Sequence, residues 1–469
     1  MLFLADILEA LTGTRPSESP LAISEAVIDS RQVIPAALFI AIPGERVDGH
    51  DYIGQAFIKG ASLALIQRKV EGYPILDISQ SGNLPEQMPP APFCIRVENT
   101  LTALQTIAAF WRSQLDVRII GITGSVGKST TKELVYDVLS QRYRTLKSPG
   151  NMNNEVGLPL ALLRLSHGHQ RAVLEMGFYV PGEIAFLCGL AKPDIGVITN
   201  VGTVHAERAG SQEAIARGKA ELVQALPENG TAILNYDDPW VRDMAGQTKA
   251  RVFFYGLDPA ADLWADQIEG LGLEGIKFRL HYGQETLYLR APLIGRHSVH
   301  TILRAAAVGL VEGLTWQDII SGLLQGRNQL RLVAVHTQSG ALLLDDTYNA
   351  SPESTLAALN LLGELDGRKI AVLGDMLELG PYERQGHQIV GVRVAETCDM
   401  LVAVGPRSRV TADSARQNGL SESVIWRFDS APEAVDTLKE ILGKNDTVLV
   451  KGSLGMGMAR IVAALEIES

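Results

Sequence analysis

At 469 residues the chain is too long for one hydrophobic core, and about 150 residues per domain predicts three units. A net charge of −11 argues against a nucleic-acid surface, which carries a basic excess or stripe, and favours a small-molecule cleft with local positive charge. Cys94, Cys188 and Cys398 are too scattered for a disulfide framework or a zinc site, and neither a basic signal-peptide start nor a run of about 18 apolar residues occurs, so a cytoplasmic protein without membrane insertion is expected.

Residues 1–112 read as a small mixed α/β unit. Its strands fall at Ala37 to Ile42 and Ala61 to Ile66, and Ser79 to Pro92, rich in Pro, Gly and Gln, is a surface loop. From Val117 the pattern changes. Apolar strands at Val117 to Ile122, Ala172 to Leu174, Ile195 to Thr199 and Ala232 to Leu234 alternate with helical stretches such as Ser211 to Ala225, which predicts a mainly parallel sheet covered by helices over residues 113–329. Phe278 to Leu289 alternates apolar and polar residues, as an appended β-hairpin does. A third unit, residues 330–469, alternates strands at Ala341 to Leu344, Ile370 to Leu373, Leu401 to Val404 and Val448 to Val450 with helices at Thr355 to Glu364, His387 to Thr397, Pro432 to Leu442 and Met456 to Leu465. That is a doubly wound, Rossmann-like pattern, and the lack of a GxGxxG opening argues against a dinucleotide.

Between the second unit's first strand and first helix lies Gly121-Ile-Thr-Gly-Ser-Val-Gly-Lys-Ser-Thr130. Strand, glycine turn and helix start in that order make a phosphate cradle, where backbone N–H groups and the helix dipole meet a polyphosphate. Lys128 would reach the β/γ-phosphates and the Ser129 hydroxyl would hold Mg²⁺. Ile122 stands where the standard motif has its first glycine.

Glu175 ends a strand of the same sheet, on the edge where ligands bind, so it can approach the Mg²⁺; by chemistry alone it reads equally as an exposed strand-end acid. His205 follows the next strand, on a loop leaving that edge. Lys219 lies on a helix, where a lysine is ordinarily solvated. If buried, its pKa falls, and the neutral amine can combine with CO₂ to give a carbamate, an anionic oxygen ligand. In the third unit three polar strand ends, Asp345-Asp346, Gly374-Asp375 and Lys451-Gly452-Ser453, converge on one edge.

In chain order, Asp29-Ser30-Arg31, Asp48 to Asp51, the P-loop, Asn151 to Pro159, Glu175-Met176-Gly177, Gly182-Glu183-Ile184, Asn200-Val201-Gly202 with His205, Lys219, Gly295-Arg296-His297, Asp345 to Pro352, Gly374 to Gly380 and Lys451-Gly452-Ser453 resemble the Mur ligase family of ATP-dependent amide-bond synthetases. Asp346 to Ala350 and Gly374 to Gly380 resemble its dipeptide-adding member. The resemblance implies a three-domain α/β fold: a small mixed N-terminal domain for a UDP-linked substrate, a central P-loop ATPase-like domain and a C-terminal Rossmann-like domain; because an acyl phosphate is readily lost to water, the third domain is expected to swing onto the ATP site. It implies UDP-N-acetylmuramoyl-tripeptide and D-alanyl-D-alanine as partners of a monomer, joined through an acyl phosphate in peptidoglycan precursor synthesis. ATP would be held by Gly124, Ser125, Gly127, Lys128, Ser129, Thr130, His297, Arg331 and Asp346. Two Mg²⁺ ions are implied, one on Ser129 and Glu175 and one on His205 and carbamylated Lys219, with Lys128, His205 and Lys219 as the catalytic set. Substrate contacts would come from Asp29, Ser30, Arg31, Asn151, Asn154, Tyr348 and Asn349.

Three departures are visible. Ser298 and Thr301 replace both amides of the usual Gly-x-His-Asn-x-x-Asn, Leu454 stands where an Arg commonly follows Lys-Gly-Ser, and Phe178-Tyr179 replace small residues. From the residues alone a P-loop switch or motor remains open, as do another Mur ligase and a folylpolyglutamate synthetase.

Overall fold

The structure is a computed structural model that describes residues 1–16, 21–44, 47–80, 84–85, 87–204, 206–325 and 333–466. Short uninterrupted apolar runs give the first unit its strands. Leu38–Ile40 and Leu63–Ile66 are buried on both faces, and with Ala26–Val27, Phe93–Arg96 and Ile75–Asp77 they make a five-stranded parallel sheet. The helix Thr100–Ser113 is capped by Asn99, whose side chain accepts from the Thr102 N–H at 2.9 Å. Its stripe Ala103, Leu104, Ile107, Ala108 and Trp111 is buried in a core that this sheet shares with one face of the central unit. Trp111 Nε1 donates to the Leu165 carbonyl across that junction, at 2.9 Å.

The central sheet has nine strands. Thr145–Lys147, Arg171–Glu175, Arg118–Thr123, Ile195–Ile198, Thr231–Asn235, Arg251–Gly256 and Leu263–Gly270 run parallel in that spatial order. Ile276–Tyr282 and Glu285–Ala291 then add antiparallel strands at the edge, so the expected appended hairpin is a continuation of the sheet itself. Alternation along each strand splits the core in two. Ile119 and Leu174 face one layer, while Ile120, Ile122 and Val173 face the other.

In the third unit Leu342–Asp346, Asp446–Lys451, Arg368–Gly374, Met400–Val404 and Ile425–Phe428 are parallel neighbours, and Val333–His336 pairs antiparallel at the edge. Helices Pro352–Glu364, Glu383–Thr397 and Ser408–Gln417 pack on one face, and Ala431–Ile441 and Ala459–Leu465 on the other. This is the doubly wound arrangement. Among the described residues, no helix is long and apolar enough to cross a membrane, and Cys94, Cys188 and Cys398 are free and buried.

Candidate active site

Parallel strands place their C-terminal ends on one edge, and the chemistry gathers there. Arg118–Thr123 runs into the glycine turn, and the helix Lys128–Leu139 starts at once, with Gly127 as its N-cap at φ 85°. The turn is tied to the exit of the next strand by a set of short bonds. Thr199 Oγ1 donates to the Val126 carbonyl at 2.7 Å, the Val126 N–H donates to Asn200 Oδ1 at 2.9 Å, and the Gly202 N–H donates to Ser125 Oγ at 2.8 Å. Lys128 Nζ lies back over the turn, donating to the Gly124 carbonyl at 2.7 Å.

Gly124 is required twice over. Its φ of 144° disfavours any side chain, and a Cβ there would stand 1.8 Å from Thr199 Oγ1. Gly124→Ala is therefore expected to push Thr199 off Val126 and weaken ADP binding by about tenfold or more, on the scale of one or two lost charge-assisted bonds. An ADP titration by calorimetry that matched the unsubstituted protein would contradict this.

Glu175 is 2% exposed, which excludes the solvated strand-end acid. A buried carboxylate must be paired or hydrogen-bonded, and this one is both. Ser129 Oγ donates to its Oε2 at 2.8 Å, Asn153 Nδ2 donates to its Oε1 at 2.9 Å, and Lys132 Nζ lies 3.9 Å away. The Ser129 hydroxyl beside the Glu175 carboxylate is a pair of hard oxygen donors of the kind Mg²⁺ takes together with phosphate oxygens and water. Among the described residues, no group of three His, Cys, Asp or Glu gathers as a separate metal cage.

Lys219, on the helix Gln212–Gln224 capped by Ser211, is 1% exposed. Its Nζ stands 5.0 Å from the centre of the Phe178 ring. The ring face favours an ammonium, by about 0.5–2 kcal/mol. Burial opposes it, joined by the positive charge of Lys128, and the lysine is driven well below its ordinary range. Desolvation of a fully buried cation is the larger effect, so the balance shifts toward the neutral amine. The close seat of Phe178 needs Gly218, where a Cβ would stand 1.9 Å from the ring carbon Cε2. His205 and Arg331 lie outside the described residues.

The third unit turns its strand ends toward this edge. Asp346 and Lys451 sit side by side on adjacent strands, Nζ donating to Asp346 Oδ2 at 2.7 Å and to the Asn349 carbonyl at 2.8 Å. Asp345 instead orders its own turn, accepting from the Thr347 N–H and hydroxyl. Across the cleft, the Thr203 N–H donates to Glu353 Oε1 at 3.3 Å and the Glu207 N–H to the Glu378 carbonyl at 3.3 Å. His297, exposed, lines a cavity of about 640 Å³ with Arg296 and one face of the helix Pro352–Glu364. Tyr348 and Asn349 are exposed, and Leu454 is exposed beside Lys451-Gly452-Ser453.

In the first unit Asp29 caps a short turn and holds the Arg31 guanidinium with two oxygens, the closer contact 2.8 Å. That pairing keeps Asp29 below the usual carboxylate range. Ser30 is buried and donates to Gln55 Oε1 at 2.6 Å. Asn151 is exposed, and Asn154 Oδ1 accepts the Gly157 N–H at 2.8 Å, starting the helix Gly157–Leu163. Asn153, between them, is the amide that reaches Glu175, and the sequence reading passed over it. Lys132 was also missed, although its spacing of four from Lys128 places both on one helix face.

Family models match in chain order: the Mur ligase family catalytic domain over residues 22–112, the Mur ligase middle domain over 122–309 and the Mur ligase glutamate ligase domain over 330–454. A UDP-N-acetylmuramoyl-tripeptide–D-alanyl-D-alanine ligase from Synechocystis is 38% identical over 98% of this chain and 95% of its own length. The Bacillus subtilis ligase of the same name is 35% identical over 98% and 97%. Among solved structures, MurF from Acinetobacter baumannii superposes with a TM-score of 0.82 at 30% identity, covering 98% of this chain and 97% of its own. MurF from Thermotoga maritima in complex with ADP superposes with a TM-score of 0.78 at 28% identity, covering 95% and 98%. Models matched in order and relatives matched nearly end to end agree with the P-loop edge just described: the chain belongs to the Mur ligase family of ATP-dependent amide-bond-forming enzymes.

Proposed function

We infer that the protein joins D-alanyl-D-alanine to UDP-N-acetylmuramoyl-tripeptide at the expense of ATP, as a cytoplasmic monomer that makes a peptidoglycan precursor. The observation that carries the reading is the match of 98% of the chain to ligases of that name. In this reading residues 1–112 hold the UDP portion, 113–329 hold ATP and 330–469 complete the cleft.

The chemistry runs in two steps. A terminal carboxylate oxygen of the tripeptide attacks the γ-phosphorus of ATP, the bond to the β,γ-bridging oxygen breaks, and ADP departs, leaving an acyl phosphate. The dipeptide amine then attacks the acyl carbon; the tetrahedral adduct expels phosphate as the amine loses its proton. Lys128, with the loop N–H groups, neutralises the oxygens that gain charge in the first step. Ser129 and Glu175 would hold Mg²⁺, which when bound supplies further neutralisation of the phosphates. A second Mg²⁺ would rest on His205 and a Lys219 carbamate. The Lys219 nitrogen forms a bond to the carbon of CO₂, one C=O opens to a carboxylate oxygen, and the nitrogen loses a proton to solvent. An acyl phosphate is lost to water, so the contacts of Glu353 with Thr203 and of Glu378 with Glu207 serve to close the cleft.

An amine-acceptor screen tests the reading. ADP and phosphate should be released only when both UDP-tripeptide and D-alanyl-D-alanine are present; glutamate or a diamino acid as the preferred acceptor points to a different ligase, and steady ATP hydrolysis without an amine points to a switch or motor. The domain assignment has its own check. Arg31→Ala should raise KM for the UDP-tripeptide about tenfold, the scale of a lost charge-assisted bond, while KM for ATP stays put. Equal rises for both substrates would remove the uridine site from Asp29, Ser30 and Arg31.

A further inference from the structure

Behind the P-loop, on the helix Ser298–Val311, lies a cation that no step above uses. Arg304 is 4% exposed, yet among the described residues it forms no ion pair with a carboxylate. Its Nη2 donates to Thr301 Oγ1 at 2.7 Å, its Cζ stands 5.9 Å from the centre of the Tyr255 ring, and its Nε is buried without a hydrogen-bond partner. Asp237 accepts from His300 Nε2 at 2.8 Å and Asp238 from the Val201 N–H at 2.8 Å. A buried guanidinium with an orphan N–H and no carboxylate partner among the described residues is costly unless an anion arrives.

The guanidinium lies against the P-loop. A Cβ built on Gly127 would lie 3.3 Å from Nη2 and 3.7 Å from Nη1. Gly127 is the N-cap of the P-loop helix, where the backbone N–H groups and the helix dipole already favour a phosphate. The guanidinium therefore stands against the outer side of the cradle that Lys128 covers from within.

We propose that Arg304 is a phosphate-binding residue of the nucleotide site, approaching the polyphosphate from the Ser298–Val311 helix. This rests on the reading of the P-loop as the nucleotide site. The planar fork suits a diphosphate or triphosphate, since it can give two parallel N–H bonds to one phosphate. Thr301 Oγ1 accepts from Nη2 and orients it.

The test is ADP, adenosine and tripolyphosphate binding, by calorimetry, to the full chain and to Arg304→Met and Arg304→Lys, with melting curves of each protein alone. Arg304→Met should lose ADP and tripolyphosphate affinity about ten- to a hundredfold, the range of a charge-assisted bond or two, with adenosine affinity unchanged and Arg304→Lys in between. The Met variant without nucleotide should melt no lower than the unsubstituted protein, because removing an unpaired buried cation relieves its desolvation. A merely structural brace would give the reverse: a lower melting temperature without nucleotide and equal losses for ADP and adenosine, which overturns the proposal. ADP affinity unchanged in Arg304→Met also overturns it while leaving the nucleotide site intact. Failure of the unsubstituted protein to bind ADP would instead sink the nucleotide reading and this inference with it.

Discussion

Lys128→Ala should reduce ligation by about three orders of magnitude, on the scale by which single groups that meet developing phosphoryl charge contribute. The side chain is half-buried, and its bonds to the Gly124 and Ser125 carbonyls lie within the turn, so the core layers on either side of the sheet are untouched. The melting temperature should therefore hold while kcat collapses. A second consequence follows from the nearness of the two lysines. The Lys128 charge is one of the two effects that hold Lys219 down, after burial, so removing it lets the Lys219 pKa rise and lowers the fraction of amine open to CO₂. Added CO₂ should not rescue Lys128→Ala, since the phosphoryl contact is gone in either state of Lys219. A folded Lys128→Ala protein with near normal turnover would overturn the mechanism.

If the proposed Lys219 carbamate serves as an anionic metal ligand, Lys219→Ala should fall about two to three orders of magnitude below the unsubstituted enzyme. The sign of the pH effect follows from the need for an unprotonated amine. Carbamate forms from the unprotonated nitrogen, so its occupancy rises with pH and with dissolved CO₂, and the lowered pKa of Lys219 moves that rise to lower pH than for an exposed lysine. Two measurements check this. Supplying ¹³C-bicarbonate should give a carbamate resonance in the NMR spectrum of the unsubstituted protein that Lys219→Ala lacks, and short carboxylic acids should restore part of the activity of the variant. Full activity in Lys219→Ala, or no carbamate signal from an active enzyme, would remove the modified lysine from the mechanism. Phe178 enters here as well. It seals the amine from water but presents a ring face that an anion avoids, so Phe178→Leu should raise carbamate occupancy if the seal survives, as the same NMR signal reports.

Much of this protein is determined locally and is therefore legible in its sequence. The decapeptide Gly121 to Thr130 specifies a phosphate turn because glycine torsions and a helix start are properties of neighbouring residues. Apolar runs such as Ile195–Ile198 and Met400–Val404 specify buried parallel strands for the same reason. Short, mixed or alternating segments were harder: Thr145–Lys147, Ile425–Phe428 and the helix Ser408–Gln417 carry too little periodic signal, and they are held in place by neighbours distant in the chain.

Burial and pairing were settled only by the tertiary structure, because they depend on what packs opposite. Glu175 could have been a solvated acid until Ser129, Asn153 and Lys132 were seen around it. Lys219 could have been an ordinary surface lysine until Phe178 and Gly218 closed over it. Arg304 gave no signal at all in the sequence, since a lone arginine in an Ala-rich helix reads as a solvated face; only the approach of that helix to Gly127 puts a buried guanidinium, without a carboxylate partner among the described residues, beside the glycine turn. The sequence determined which groups could do the chemistry, and the packing of the sheets decided which of them lost water and which partners they met.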